Sequence, residues 1–356
     1  MPDPQSILKV SDTDNLVVAL QPLNCGETVN LQKENFRIRE PIPAKHKFAG
    51  TPLAQGDLAY MYGVLVGEAT KPIQVGERIT TDNLIHRSAD FKSSSEKNPW
   101  ISPSCDLWKN RTFQGYQRSD GQVGTANYWL VVPLVFCENG NIEVLRRSMI
   151  KALGLDKRSQ YENFAEDLAK AYQTGDSPQS VVLPNEQVSR ASPIFPNVDG
   201  VKFLTHGLGC GETRGVSEEL CGLLAGYACN PNVAGITILS LGCQHAQVSI
   251  LEDEISKRCA NFDKPFLVFE QQKYSSEREM LEQAIRQTFE NLAKINQFER
   301  TAVPLSKLCL GMECGASDGF SGISANPCIG QVADLTVGLG GRVILSEFPE
   351  LCGVEQ

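Results

Sequence analysis

The sequence predicts an α/β protein in which a small β-rich N-terminal domain precedes a mostly parallel, doubly wound α/β domain. Three observations predict it. Residues 1 to about 90 carry short alternating apolar segments broken by Gly and Pro, with no helical periodicity. From Val201 onward, strand-like apolar runs alternate with segments of helical period. The polar, glycine-rich motifs of this second half all follow strand-like runs and none precedes one. In open parallel sheets, ligands bind beyond the carboxyl ends of the strands, so that placement carries functional weight.

Within the first 90 residues, Asn15–Leu20, Phe36–Ile38, Asp57–Tyr60, Leu65–Val66 and Arg78–Thr80 read as small strands. The pairs Gly26-Glu27, Gly56-Asp57 and Gly76-Glu77 read as recurrent turns between them. Residues 91–115 are rich in Ser, Pro, Asn and Lys without periodicity and read as a linker. The second domain then spans 116–356. Its first part, 116–196, holds a buried-strand pattern at Trp129–Phe136, helical periodicity over Glu143–Leu153 and Tyr161–Tyr172, and a polar loop from Thr174. Its second part, 197–356, places five strands at 201–205, 234–241, 265–269, 307–312 and 343–346. Helices at 217–227, 248–257, 277–298 and 325–335 alternate with them, so the expectation is a five-stranded parallel sheet.

Composition excludes several functional classes. A chain of 356 residues with 41% hydrophobic and 21% charged residues is long enough for two or three domains and is typical of globular proteins. The formal net charge of −9 argues against nucleic acid or an anionic membrane as partner. It also requires local cations or a metal wherever an anionic ligand binds. No apolar run approaches a membrane span, and no basic region followed by an apolar segment marks an export signal at the N-terminus. The twelve cysteines are therefore expected to be reduced. For Cys25, Cys105, Cys137, Cys221, Cys229, Cys259, Cys309, Cys328 and Cys352 the surroundings are apolar or featureless, and core filling is the expectation.

The stretch Leu308–Gly330 concentrates chemistry: an apolar run, then Glu313, Cys314, Ser317, Asp318 and Ser321 among glycines, then Asn326 at the start of a helical pattern. Asp318 and Glu313 suit a hard cation or proton abstraction, and Ser317, Ser321 and Asn326 suit hydrogen bonds to hydroxyls. A βα turn capped by Ser or Asp accounts for the same residues without any ligand. Cys210, Cys243 and Cys314 occupy equivalent positions after strands, flanked by glycines. Three thiolates with an open fourth position suit one iron or an iron–sulfur cluster, whereas packing beneath tight turns is the plain alternative. His206 directly follows a strand and is the sharpest acid/base candidate, since imidazole as a class titrates near neutral pH. No GxGxxG follows a strand, and neither GxSxG nor a phosphate-binding GK[ST] loop occurs.

These blocks together resemble the altronate/galactarate dehydratase family. The resemblance is carried by Glu313–Pro327, by Pro231–Gly235 followed by Leu241-Gly242-Cys243, and by Ser346–Glu350. His46-Lys47-Phe48 with Tyr62-Gly63 and Gly67–Ala69 resembles the family's N-terminal SAF (β-clip) domain, and Gly121–Asn127 resembles the start of its main domain. The fold so implied is a SAF-like β-clip domain plus a Rossmann-like, mostly parallel α/β domain. Family members continue past Gly353-Val354-Glu355 with a segment rich in Gly and Lys, so the expectation is a C-terminally incomplete chain.

The activity so implied is that of a cytoplasmic hydro-lyase converting D-altronate to 2-dehydro-3-deoxy-D-gluconate and water, with galactarate or a related acid as the alternative substrate. Fe2+, or Mn2+, is the implied metal, with an iron–sulfur cluster as the alternative. The implied catalytic residues are His46, Lys47 and His206, with Lys47 pairing with the substrate carboxylate. Thr125, Asn127, Ser317, Ser321 and Asn326 are the implied substrate contacts, and Cys210, Cys243, Cys314 and Asp318 the implied metal ligands. The implied partners are a small sugar acid, further copies of the chain, and a separate chain carrying the remaining family segment; nucleic acid and membrane are excluded. The contrasting reading is a truncated or split member that binds a sugar acid or a partner chain without activity of its own. Ala126, Asn230 and Gln244 stand where many members carry Arg, His and Glu, which leaves the sugar acid open.

Overall fold

A computed structural model of the chain describes residues 6–31, 34–90, 99–156, 159–184, 192–313, 315 and 320–347. The chain divides into two compact units. One contains residues 1–111 and 305–356, and the other residues 112–304.

The first unit begins with β1 (Ile7–Leu8), β2 (Leu16–Ala19), β3 (Thr28–Leu31), β4 (Glu34–Arg37), β5 (Lys47–Ala49), β6 (Leu58–Met61), β7 (Val64–Ala69) and β8 (Leu84–His86). Short antiparallel sheets β1-β2-β5 and β6-β7-β8, and the hairpin β3-β4, are stitched by single bridges such as Leu23 to Ile42 and Leu53 to Ile73. The strand β2, Leu-Val-Val-Ala, is buried along its whole length. Its side chains alternate between two apolar clusters: Val17 and Ala19 pack with Phe36 and Phe48, and Leu16 and Val18 with Leu53, Met61 and Ile73.

The second unit opens with β9 (Thr112–Gln117), β10 (Val123–Gly124) and β11 (Tyr128–Pro133), then α1 (Asn139–Ala152) and α2 (Gln160–Thr174). It continues with β12 (Gly200–Phe203), α3 (Arg214–Cys229), β13 (Val233–Ser240), α4 (Val248–Arg258), β14 (Phe266–Glu270), α5 (Glu277–Ile295) and β15 (Thr301–Pro304). Four strands form an all-parallel sheet in the order β12-β11-β13-β14. Each face of β11 meets a different helix pair. Trp129 and Val131 pack with Leu145 of α1 and Met280 and Leu292 of α5, while Leu130 and Val132 pack with Leu224 of α3 and Leu251 of α4. Because both faces are covered, β13 is buried at all eight positions and reads as a continuous apolar run. The antiparallel sheet β10-β9-β15 completes this unit.

The expected five-stranded sheet is corrected here. The strands β16 (Cys309–Met312) and β17 (Arg342–Leu345), with α6 (Ala325–Gly338) between them, form a separate two-stranded parallel sheet. They belong to the first unit, so a second domain running from 116 to 356 is not what the chain forms. The physical reason lies in their sidedness: both strands are at most half-buried along their length, whereas the strands of the main sheet are apolar on two faces. Part of the expected linker is also structured, because 112–115 enters β9. Trp100 Nε1 donates to Asp334 Oδ1 at 2.9 Å, fastening the preceding segment to α6.

Candidate functional site

The sheet order puts a topological switch point at the carboxyl ends of β11 and β13, since the chain leaves β11 to one side for β12 and resumes on the other at β13. Loops 134–138, 204–213 and 241–247 cluster there. His206 lies in the second of them. Its Nε2 faces Pro133 O at 2.8 Å, and its Nδ1 accepts from Leu208 N at 3.2 Å. That pattern requires the proton on Nε2 and engages both ring nitrogens with backbone. Glu212 gathers the same loop: its carboxylate accepts from Gly209 N (2.6 Å), Cys210 N (3.1 Å) and Ser217 Oγ (2.7 Å). The Ser217 hydroxyl foremost, with the backbone amides, holds Glu212 below the usual carboxylate range. The neighbouring loop is tied on by His245 N to Gly209 O at 2.9 Å. Gln244 accepts from Gly242 N at 2.7 Å and donates to Ser240 Oγ at 2.6 Å.

Cys210 is half-buried and Cys243 exposed in these adjoining loops. Among the described residues no three His, Cys, Asp or Glu side chains converge as a metal site. Cys314, Ser317 and Asp318 lie outside the described residues, so the expected third thiolate and the expected carboxylate ligand are not placed. The described cysteines are free thiols, and Cys25, Cys137, Cys309 and Cys328 are exposed, which corrects the expectation that they fill the core; Cys105 and Cys221 are buried, and Cys229 and Cys259 half-buried. Cys352 lies outside the described residues.

Sequence reasoning missed Glu138. It sits at the same sheet end, fully buried, with Oε2 accepting from Asn141 Nδ2 at 2.8 Å. Its Oε1 is buried with no partner, and so is Asn139 Oδ1, although Asn139 Nδ2 donates to His206 O at 2.8 Å. Burial raises the Glu138 pKa; the Asn141 hydrogen bond opposes the shift and Glu277 reinforces it. In the sequence, Cys137-Glu138-Asn139-Gly140 reads as an ordinary helix start, and nothing in it signals a buried acid.

Thr125 and Asn127 sit at the opposite, amino end of the sheet. Asn127 is wholly buried and spent on structure: its N donates to Asp199 Oδ2 (2.7 Å), its Nδ2 to Asn197 O (2.8 Å) and Ile295 O (3.3 Å), and its Oδ1 accepts from Arg118 Nη2 (3.1 Å). The expectation that it touches substrate is corrected, because no polar atom is left to offer. Thr125 N and Oγ1 both donate to Asn232 Oδ1, at 2.7 and 3.3 Å. Arg118 Nε donates to Pro231 O at 2.8 Å, and Lys264 Nζ to Asn230 O at 2.7 Å. Burial foremost, and the facing Arg118, bring the Lys264 amine down to about 8. A Cβ on Gly124 would stand 2.2 Å from Pro231 O, so the segments 121–127 and 230–235 interlock at backbone distance.

The first unit holds the other candidates. Four of its turns share one backbone course. Gly26, Gly56 and Gly76 take φ of 83°, 89° and 78°, and the residue after each is acidic. Glu27, Asp57 and Glu77 each accept from the N–H three residues back: Asn24 (2.8 Å), Ala54 (2.7 Å) and Gln74 (2.8 Å). At the fourth turn, Lys45 occupies the left-handed position at φ 73°, His46 stands where the acids stand, and Pro43 stands where the N–H should be. The backbone bonds persist: Lys45 N to Ala19 O at 2.7 Å and His46 N to Pro43 O at 3.1 Å, matching Gly26 N to Ile38 O and Glu27 N to Asn24 O. Proline has no N–H to cap, so the side chain of residue 46 has no turn to close. His46 is exposed, and Lys47 is half-buried as β5 begins.

The Lys45 ammonium stands 5.1 Å from the Phe320 ring centroid. Tyr62 also adopts a left-handed backbone, φ 59°, in a hairpin turn whose amides are capped by buried Asp14. Burial, and then Asp14, raise the Tyr62 pKa. A Cβ on Gly322 would stand 2.6 Å from Tyr62 Oη, so the end of the 313–327 block closes on this turn. Ser321 is half-buried, and its carbonyl accepts from Asn326 N at 2.8 Å; Asn326 itself is exposed in the first turn of α6.

Comparison with known proteins covers the whole chain. A family model described as D-galactarate dehydratase/altronate hydrolase, second domain, matches residues 115–296. The altronate/galactarate dehydratase SAF domain matches 5–87, and the D-galactarate/altronate dehydratase C-terminal model matches 305–356. The expectation that the family's C-terminal segment is lacking is thereby corrected: that segment is represented from residue 305. Altronate dehydratase of Bacillus subtilis is 28% identical over 99% of this chain and 61% of its own length. Altronate dehydratase of Escherichia coli is 26% identical over 98% of this chain and 61% of its own. Galactarate dehydratase (L-threo-forming) of Escherichia coli is 26% identical over 97% and 59%, respectively. The chain thus spans about three fifths of the length of these relatives. No described helix is long and apolar enough to cross a membrane.

Proposed function

Since the chain belongs to the D-galactarate dehydratase/altronate hydrolase family, we propose that it carries the site of a sugar-acid hydro-lyase, with D-altronate as substrate and 2-dehydro-3-deoxy-D-gluconate and water as products. Galactarate is the alternative substrate within the same reaction. The observation that carries this reading is the release of His46: at three equivalent turns the fold spends an acidic side chain on closing the turn, and at the fourth a histidine stands in that place with no closing bond to make.

The chemistry asks for a base to take the proton on the carbon alpha to the carboxylate and an acid to protonate the departing 3-hydroxyl. An enol results, and it ketonises to the product. His46, exposed and free of the turn's demand, is assigned the proton transfer, and Lys47 the pairing with the substrate carboxylate. His206 supports the sheet end in this reading, because moving a proton through its ring would break a bond to Pro133 O or Leu208 N. An alpha proton of a carboxylate is weakly acidic, which is why Fe2+ or Mn2+ is proposed alongside. Cys210 and Cys243 are the only proposed ligands among the described residues and do not make up a site by themselves.

The test is incubation of the purified chain, anaerobically with Fe2+ or Mn2+ and thiol, with altronate and with galactarate, scored for 2-keto-3-deoxy acid. A second arm adds the part of the relatives' length that this chain does not span. Product that disappears in His46→Gln supports the reading. Absence of product from both acids in both arms refutes it.

A further inference from the structure

We propose that Cys229 and Cys259 form a redox site that a low-molecular-weight disulfide converts to an intramolecular disulfide, stapling together the ends of α3 and α4. The inference is independent of the dehydratase reading and rests on how these two helices pack. Both cover the same face of the parallel sheet, where Leu224 of α3 and Leu251 of α4 share one apolar cluster. Two thiol contacts report their register: Cys221 Sγ donates to Gln247 O and Cys229 Sγ to Ile255 O, each at 4.0 Å. The two donors are eight positions apart on α3, and the two acceptors are eight positions apart along α4. The helices therefore run parallel and side by side over about 12 Å. They also end together, with Cys229 the last residue of α3 and Cys259 the C-cap of α4. Cys259 N donates to Ile255 O at 2.8 Å, so one carbonyl holds both residues.

Cys221 shows what a packed thiol looks like on the same helix. It is buried, and burial foremost, with Glu254 and Glu218, pushes it up to about 11. Cys229 and Cys259 are half-buried free thiols instead. Burial foremost, then the Cys259 sulfur, raise the Cys229 thiol, while Lys264 and Arg258 oppose the rise. Lys264 Nζ lies across the end of α3, donating to Ala228 O at 2.9 Å and to Asn230 O at 2.7 Å. A cation beside a thiol favours the thiolate, the attacking species in thiol–disulfide exchange. One thiolate attacks a disulfide RSSR, which gives a mixed disulfide and releases one RS⁻. The second attacks the protein sulfur of that mixed disulfide, closing the Cys229–Cys259 bond and releasing the second RS⁻. The two protein thiols give up two electrons and two protons, and RSSR becomes two RSH.

The experiment incubates the full chain with glutathione disulfide, quenches with acid, alkylates the remaining thiols under denaturing conditions and maps the peptides by mass spectrometry. Thermal unfolding is recorded before and after. The expected result is a peptide pair joined through Cys229 and Cys259 and an unfolding midpoint about 5–10 °C higher, returning to its starting value with dithiothreitol. Cys229→Ser and Cys259→Ser should each abolish the joined pair and the rise. Recovery of both wild-type thiols in alkylated form overturns the inference, as does a reaction that stops at a glutathione adduct on either residue; neither readout needs a variant to fold. A midpoint rise that survives in both variants overturns it as well.

Discussion

Replacing Asn127 with Ala separates a scaffold residue from a substrate contact. The side chain is 0% exposed and makes three hydrogen bonds, to Asn197 O at 2.8 Å, to Ile295 O at 3.3 Å and from Arg118 Nη2 at 3.1 Å. Each such bond is worth roughly 1 kcal/mol net, and partners stranded away from water lose more than that. The 3.3 Å bond is long and contributes least, so the expected destabilisation is about 3 kcal/mol. Against a typical stability of roughly 5–15 kcal/mol, this is a large fraction. Urea unfolding followed by tryptophan fluorescence reads it, because Trp129 lies buried in the same unit. With a urea slope of roughly 1–3 kcal/mol per molar, the midpoint of that transition falls by about 1–3 M. At urea concentrations where both proteins remain folded, sugar-acid affinity should match wild type. A variant with the wild-type midpoint and lost affinity would show that Asn127 serves the ligand.

Two further outcomes follow from buried and strained groups. A carboxyl group whose folded pKa lies above its unfolded value contributes stability below the unfolded value, and that stability is lost as pH rises through the folded one. Glu138 is such a group, raised from 4.5 by burial with Glu277 facing it and only Asn141 opposing. Glu138→Gln should therefore gain on wild type as pH rises above the ordinary carboxylate range, measured as paired melting curves; a gap that stays constant with pH contradicts the buried-acid assignment. At a sister turn, Gly26 holds φ 83° with open space around the position of a Cβ. Gly26→Lys then measures the backbone strain alone and should destabilise by about 1–2 kcal/mol in urea unfolding. A neutral result would show that the left-handed position of these turns carries no strain for a lysine.

Much of the fold was legible because its signals are local. Gly26-Glu27, Gly56-Asp57 and Gly76-Glu77 announce turns since only glycine takes the left-handed position without strain and an acid closes the turn behind it. The helices α3, α4 and α5 follow from periodicity, and β13 from a run of eight apolar or small residues. What periodicity does not carry is partnership between distant strands. Cys309–Met312 and Arg342–Leu345 look like further members of the main sheet, yet among the described residues they pair with each other, and their partly exposed faces emerge only in the folded chain. The candidate site was legible in part for the same reason. His206 and Cys210 do lie on the loop after β12, as the sequence placed them; Glu138 was not anticipated, because the burial of an acid is decided by tertiary packing that periodicity does not carry.

The blocks that carry the family resemblance divide by physical task, and that division bears on how substitutions in them should be read. Gly121–Asn127 and Pro231–Gly235 fit each other at the amino end of the sheet: Gly124 admits the Pro231 carbonyl, Asn232 gathers Thr125 and Ala126, and Gly235 lets the Trp129 ring lie where a Cβ would stand 2.2 Å away. Change there acts through folding and moves affinity only indirectly. Gln244 lies at the other end, where its amide both accepts from Gly242 N and donates to Ser240 Oγ. A glutamate at 244 could keep both contacts only with the Ser240 hydroxyl turned round to donate, and it would add a negative charge beside Cys243 and Glu212's loop. Asn230 and Gln244 stand where the resemblance implies His and Glu in many members, and both are spent on structure: Gln244 is 2% exposed with both side-chain amide atoms engaged, and Asn230 Oδ1 accepts from Asn232 N at 2.9 Å.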